Sequence, residues 1–344
     1  MFFKSLTIRS FKSISEQGQN ISLEKLSVLI GANGAGKSNF VSVFKMLGEY
    51  AQNRTDAFFN YYGADRIFYG GINEDSRINV NIEYSNGGIE LKNGGFSVIP
   101  GMDGRISVID EHSSPDSLDD FKKALSGIRT YQFHNTSNLS KIRGASLEED
   151  SNGLYSDGAN LAAYLHFLKS NSIYHAYYER IVAVIRMVLP QFGDFVLEPL
   201  PGTRQTSFRL DWRLANGLEY NLFPSQLSDG ALRFIALTTV LLQPPELRPS
   251  LLVIDEPELG LHPTAIKRLA AMIHSYSKES QILVATQSPN LLNEFEPHNV
   301  IVIEYDKLSN CSVFKKLDED ALKEWLEEES LSVLWEKNVL GGQP

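Results

Sequence analysis

Along the first ~110 residues the apolar positions alternate with polar ones or run together, as in KSLTIRSF, ISLEKLSVLIG and SRINVNIEYSNGGIELKNGGFSVI. Asn-Gly and Gly-Gly pairs between them predict turns. One helix is expected in this region, from about Ser38 to Tyr50, where Phe40, Val43, Phe44 and Leu47 recur at helical spacing. From Ser117 to about Gln191 the period becomes helical. LDDFKKALSGI and NLAAYLHFLKSNSIYHAYYERIVAVIRMVL predict amphipathic helices, the latter stretch split near Ser170–Ser172, and Pro190 closes the block. No heptad persists, so no long coiled coil is expected. Strands return in DFVLEPL, TSFRLDWRL and LEYNLF, followed by a helix in DGALRFIALTTVLL. Then LLVID, TAIKRLAAMIHSYSK, QILVA and NVIVIEY alternate strand and helix, which predicts a buried parallel sheet. The segment LDEDALKEWLEEESLSVLWEKN reads as amphipathic helix and ends in LGGQP. The expected division is an N-terminal lobe over 1–116, a helical insertion over 117–195, a C-terminal lobe over 196–306 and a tail over 307–344.

Composition narrows the class. With 344 residues, 42% hydrophobic and 22% charged, the chain has the makeup of a soluble globular protein with a substantial core. A net charge of −10 argues weakly against a protein that coats nucleic acid, because phosphate neutralisation needs clustered Lys and Arg. A local basic groove stays compatible with that total. The single cysteine, Cys311, excludes an internal disulfide and fits a cytoplasmic setting. No apolar run approaches the ~20 residues of a membrane span. The opening MFFKSLTIRSF lacks the features of a signal peptide.

Four short motifs carry chemistry. GANGAGKS, Gly31 to Ser38, follows the apolar strand LSVLI and opens a helix, the context a phosphate-binding P-loop requires. Its glycines let backbone N–H groups turn toward phosphates at a helix N-terminus. Asn33, Gly34, Ala35, Gly36, Lys37, Ser38 and Asn39 are the candidate nucleotide contacts, Lys37 toward the β- and γ-phosphates and Ser38 toward Mg²⁺. LLVIDEPELGLHP carries Asp255 to a sheet edge as a second Mg²⁺ ligand, and Glu256 follows as the candidate catalytic carboxylate beside an attacking water. In LSDGALRF, Ser228, Asp229 and Gly230 fit a phosphate contact at a helix start, and Ser228 or Asp229 fits an N-cap equally well. QILVATQSPNLL ends a strand in a polar cluster around Gln287.

Together SLTIRSFKSI, LIGANGAGKSN, LSDGALRF, IDEPELGLHP and VATQSP resemble, in that order, the ATP-binding-cassette ATPases of the RecF, SMC and OLD type. IRTYQFHNTS, DGANLAAYLHFLK and LWEKNVLGGQP are similar to the stand-alone predicted bacterial ATPases of this AAA-type class, so the resemblance spans nearly the whole chain. It implies an α/β P-loop NTPase of ABC/SMC-head-like architecture, with an N-terminal antiparallel β lobe and a helical insertion. It implies ATP and Mg²⁺ as cofactors and a homodimer sandwiching two ATP, so that Ser228 and Gly230 act in trans. Lys12 and Ser13 match a loop that touches nucleotide phosphates, with a solvated turn as the other reading. His262, in the loop through which subunits sense each other, fits a contact, a cap or a packing role. Gln287 stands where many relatives place a histidine that contacts the γ-phosphate; a glutamine can position water without titrating, or could cap the next helix. Gln132 and His134 are candidates for the missing Q-loop glutamine. The signature reads LSDGA instead of LSGGQ, which disfavours a transporter subunit. Too few residues follow the last core strand for a TOPRIM nuclease. The resemblance therefore implies an ATP-driven switch acting on a separately encoded effector in phage defence, with a RecF-like DNA-binding role in genome maintenance as the alternative. Trp325 and Trp335 fit either a docking surface or packing on the chain's own core.

Overall fold

The computed structural model describes residues 1–85, 91–101, 106–112, 114–202, 204–217 and 220–342. In chain order it begins with β1 (Phe2–Arg9), β2 (Gln19–Ser22), β3 (Leu26–Ile30), α1 (Lys37–Ala51) and α2 (Thr55–Tyr62). Next come β4 (Ile78–Ser85), β5 (Leu91–Pro100), β6 (Ile106–Asp110), α3 (Pro115–Ser126), β7 (Ile128–Tyr131) and β8 (Ala145–Leu147). Helices α4 (Leu161–Ser170) and α5 (His175–Val188) precede β9 (Phe192–Val196), β10 (Ser207–Arg209), β11 (Asp211–Leu214) and α6 (Asp229–Leu242). The chain continues with β12 (Leu251–Asp255), α7 (Pro263–Ser277), β13 (Gln281–Ala285), α8 (Pro289–Leu292) and β14 (Val300–Asp306). It closes with β15 (Cys311–Lys316), α9 (Glu319–Glu328) and α10 (Leu331–Glu336). These form two compact units, one of Met1–Thr130, Pro249–Asp255 and Ser280–Pro344, the other of Tyr131–Arg248 and Glu256–Glu279.

The first unit has two sheets around α1. An antiparallel sheet runs β2-β1-β4-β5-β6, and a six-stranded sheet runs β15-β14-β3-β13-β12-β7. In the second sheet β14, β3, β13 and β12 pair in parallel, as continuous apolar strands predict. Phe40, Val43, Phe44 and Leu47 of α1 are all buried in one cluster with Leu6 and Ile8 of β1 and Val253, Leu283 and Ile303 of the parallel sheet. Buried Gln281 joins the two sheets. Its amide accepts from Phe3 N at 2.8 Å and donates to Phe3 O at 2.7 Å, so one side chain does the work of a strand neighbour.

Three expectations for this unit change. A second helix, α2, follows α1; its buried Thr55, Phe58 and Phe59 show no readable period in so short a run. Asn93-Gly94-Gly95 is not a turn but lies inside β5, where an ideal Cβ on Gly94 would sit 2.5 Å from the Phe121 ring. The other Asn-Gly-Gly, at 86–88, lies outside the described residues. The segment assigned to the tail begins with a strand, β15, antiparallel to β14. Two helices follow, of which α10 buries Leu334 and Trp335 while α9 leaves Trp325 49% exposed.

The second unit is mainly helical. α6 is buried continuously from Ala231 to Leu242 and packs against α5 and α7, the pattern of a central helix apolar on all sides. α4 and α5 split between Ser170 and His175, close to the expected break. The expected strand TSFRLDWRL divides into β10, paired with β8, and β11, paired with β9. LEYNLF contributes one isolated bridge, Trp212 to Leu222, instead of a strand, with residues 218–219 outside the described set.

Candidate functional site

In the first unit β3 is buried along its whole length and releases the chain into GANGAGKS. Gly34 and Gly36 hold positive φ of 82° and 116°, conformations glycine adopts without strain. Gly36 is also required for space, since an ideal Cβ would lie 2.2 Å from Ser312 Oγ. Lys37 is 5% exposed, and its ammonium donates to Gly31 O at 2.5 Å and Ala32 O at 3.0 Å, spanning the loop's mouth. Asn33, Gly34 and Ser38 are exposed, while Ala35 is buried.

Ser13 is drawn to this loop. Asn39 Nδ2 donates to Ser13 Oγ at 2.9 Å, and Ser312 Oγ lies 2.7 Å from Ser13 Oγ and 2.6 Å from Ala35 O. Ser312, fully buried at the start of β15, gave no signal in the sequence. Lys12 sits at φ +50° in a tight hairpin, its ammonium 4.4 Å from the centre of the Tyr62 ring. Burial first, and the nearby Lys45 second, lower its pKa to about 8. An open cavity of about 710 Å³ is lined here by Lys12, Ser13, Asn39, Tyr62, Arg66 and Tyr69. Tyr62 and Arg66 belong to the segment around the unforeseen α2.

The strand register sets the rest of this edge. Leu29 pairs with Ala285, Ala285 pairs with Asp255, and Thr286 N donates to Leu29 O at 2.9 Å. Gly31 follows β3 directly and Gln287 lies two residues beyond β13, so both leave the sheet past the level at which Asp255 ends β12. Asp255 is 2% exposed. Burial lowers the Lys45 pKa, and the Asp255 carboxylate partly offsets that. Gln287 is half-buried. The cap of α8 is Ser288, whose Oγ accepts from Leu291 N. Capping thus does not account for Gln287.

The second unit holds the remaining candidates. Glu256 adopts φ +47°, an uncommon conformation for a residue with a side chain, and stands between Asp255 and Pro257. His134 Nε2 lies 3.9 Å from Glu256 Oε2. Arg233 of α6 donates to Phe133 O at 2.8 Å, to His134 O at 3.3 Å and to Leu259 O, tying the segment with His134 to the loop after Glu256. Gln132 is half-buried, its N–H donating to Ser156 O. Ser228 caps α6, its Oγ accepting from Ala231 N at 3.1 Å. Asp229 receives the Arg143 guanidinium at 2.8 Å. Gly230 packs on the next loop so closely that an ideal Cβ would lie 2.3 Å from Gly260 O. His262 caps α7 through Thr264 N.

Among the described residues no cluster of three or more His, Cys, Asp and Glu is arranged to hold a metal ion. No helix among them is long and apolar enough to cross a membrane.

Comparisons place this architecture. The chain is similar to an SMC head bound to the C-winged helix domain of ScpA, at 20% identity and a TM-score of 0.66, over 94% of this chain and 100% of that one. The SMC head domain from Thermotoga maritima gives 14% identity and a TM-score of 0.54, over 92% of this chain and 100% of that one. In sequence it is 32% identical over 112 residues to the Energy-coupling factor transporter ATP-binding protein EcfA2 of Ligilactobacillus salivarius, covering 32% of this chain. That stretch spans only 36% of the relative's length. Residues 26–293 match the family described as AAA domain, putative AbiEii toxin, Type IV TA system. Residues 26–293 make up more than half of the chain, which therefore belongs to this AAA-domain family and has a P-loop NTPase fold of SMC-head type.

Proposed function

We propose that the chain is an ATP-gated switch. Two copies close on two ATP molecules, and their opening after hydrolysis controls a separately encoded effector in bacterial defence against phage. The observation that carries this reading is the shared end of β3, β13 and β12, where Leu29, Ala285 and Asp255 are in register and the chain runs on into Gly31 and Gln287. The family description, with its toxin and toxin–antitoxin terms, supports the defence setting. The SMC head bound to a ScpA domain supports control of a separate protein by a head of this fold.

In this reading Lys37 turns from the loop carbonyls to the β- and γ-phosphates. Lys12, Ser13 and Asn39, with the loop residues Asn33, Gly34, Ala35 and Gly36, surround the phosphate chain. The Ser38 hydroxyl and the Asp255 carboxylate are hard oxygen donors that suit Mg²⁺, an ion that keeps waters and substrate oxygens as its other ligands. Bound there, Mg²⁺ would neutralise phosphate charge. Glu256 accepts the proton of the attacking water, and the Gln287 amide, donor and acceptor at once, orients that water against the γ-phosphate. Ser228, Asp229 and Gly230 face the nucleotide of the other copy. The cap bond uses only the acceptor side of Ser228, so its O–H remains able to donate to a phosphate oxygen.

Glu256→Gln should lower turnover by about 100-fold or more, and ATP-bound dimers should accumulate in sedimentation velocity. Hydrolysis at the wild-type rate would remove Glu256 from the mechanism. Stimulation of turnover by DNA alone would instead support a RecF-like role in genome maintenance.

A further inference from the structure

The C-terminal segment does more than follow the fold. α10 is held on α8, the short helix after Gln287, by a paired contact: Ser332 N donates to Asn293 Oδ1 at 2.8 Å and Asn293 Nδ2 to Ser332 Oγ at 2.7 Å. The chain then turns at Asn338, which has φ +58°, and buries Leu340. Gly341 and Gly342 follow with φ of 81° and 76°. Gly342 N donates to Glu304 Oε1 at 3.0 Å, and the same carboxylate receives Lys315 Nζ at 2.5 Å.

This turn lies against the root of the P-loop. An ideal Cβ on Gly342 would stand 2.7 Å from Val302 Cγ1, 3.3 Å from Ile303 O and 3.4 Å from Gly31 Cα. One on Gly31 would lie 2.4 Å from the same Ile303 O. One on Gly341 would lie 2.0 Å from Glu304 Oε1. Backbone therefore meets backbone at Gly31 and Gly342, while Gly341 meets the Glu304 side chain, and all three hold a φ that side chains resist. Contact this close transmits displacement, because a packed interface has no slack to absorb it.

We infer that Gly341–Gly342, pinned by Glu304, is a brace that fixes the first residue of the P-loop, and that Gly342 and Glu304 are positioning residues for ATP binding. This rests on Gly31–Ser38 being the nucleotide loop. The brace makes ATP affinity depend on how the C-terminal helices are seated, a route by which a protein bound to the tail changes the nucleotide site.

The test compares KM and kcat of the full chain with those of Gly342→Ala and Glu304→Ala, alongside equilibrium binding of a fluorescent ATP analogue. Gly342→Ala should raise KM about tenfold with kcat nearly unchanged, and Glu304→Ala should move KM the same way. Lys315→Ala, which removes the ion pair and keeps the Gly342 bond, should retain wild-type KM. So should Gly202→Ala, another positive-φ glycine with open space around it. Wild-type affinity in folded Gly342→Ala overturns the brace. Should that variant fail to fold, wild-type affinity in Glu304→Ala does the same. Lys37→Ala separates the two levels: if it binds ATP normally, the nucleotide-loop reading falls, and with it the brace. If Lys37→Ala loses ATP while the brace variants behave as wild type, only the brace falls.

Discussion

Lys12 shows how one residue's surroundings set its chemistry. Its hairpin is closed by Ser10 N to Ser15 O and by bonds in both directions between Phe11 and Ile14, and this holds the ammonium over Tyr62. Burial and Lys45 bring its pKa to about 8. The folded value lies below the 10.5 of the unfolded chain, so this lysine opposes folding fully below about pH 8, and the opposition is lost as pH rises from about 8 to 10.5. ATP phosphates would favour the charged form, so binding takes up a proton above that pH. ATP affinity should therefore fall as pH rises beyond about 8, and Lys12→Arg should flatten the profile, because guanidinium stays charged. A titration of affinity against pH checks this; equal slopes in the two proteins would remove Lys12 from the phosphates. The FKS tripeptide was legible beside the P-loop only through resemblance. Ser312, which joins Ser13 to Ala35 O, was not legible at all. A lone serine at the start of a short strand carries no local signal, and its role comes from a pairing across 299 positions.

At the scale of elements, α6 depends on a residue far from it in sequence. Arg143 is 8% exposed and donates to Thr136 O, Pro224 O, Leu227 O and Asp229, clasping the approach to the helix that begins with the signature. Arg143→Ala leaves three backbone carbonyls without that donor and should cost about 2–4 kcal/mol in urea unfolding. Arg143→Lys should recover only part, since one ammonium cannot serve the same fork. A wild-type unfolding midpoint in Arg143→Ala would show that the clasp is dispensable. The elements that could be read from sequence have short-range causes: a strand, a glycine loop and a helix in fixed order around Gly31–Ser38, or four apolar residues before Asp255. α2 could not be read that way, because Phe58 and Phe59 are adjacent and give no period. Gly94 resembled a turn residue, yet it is small because the Phe121 ring of α3 occupies its side-chain space. That cause lies in tertiary packing, which no local pattern records.

At the scale of the molecule, the decisive question is whether the two nucleotide half-sites complete each other across two copies. The residues proposed for the switch are divided between the units, with Gly31–Ser38, Asp255 and Gln287 in one and Glu256 and Ser228–Gly230 in the other. In the proposed twofold dimer every composite site would take its P-loop from one copy and its signature from the other. Lys37→Ala and Ser228→Arg should each abolish hydrolysis alone. When the two inactive proteins are mixed in equal amounts and exchange freely, about half of the dimers pair one of each. In such a dimer one site collects both defects and the other collects none. The mixture should therefore regain about a quarter of wild-type turnover. If signature and P-loop worked within one copy, every site would keep its defect and mixing would restore nothing. The phosphate-release rate of the mixture, measured against each protein alone, thus decides between a switch that closes across two copies and an ATPase complete in a single chain.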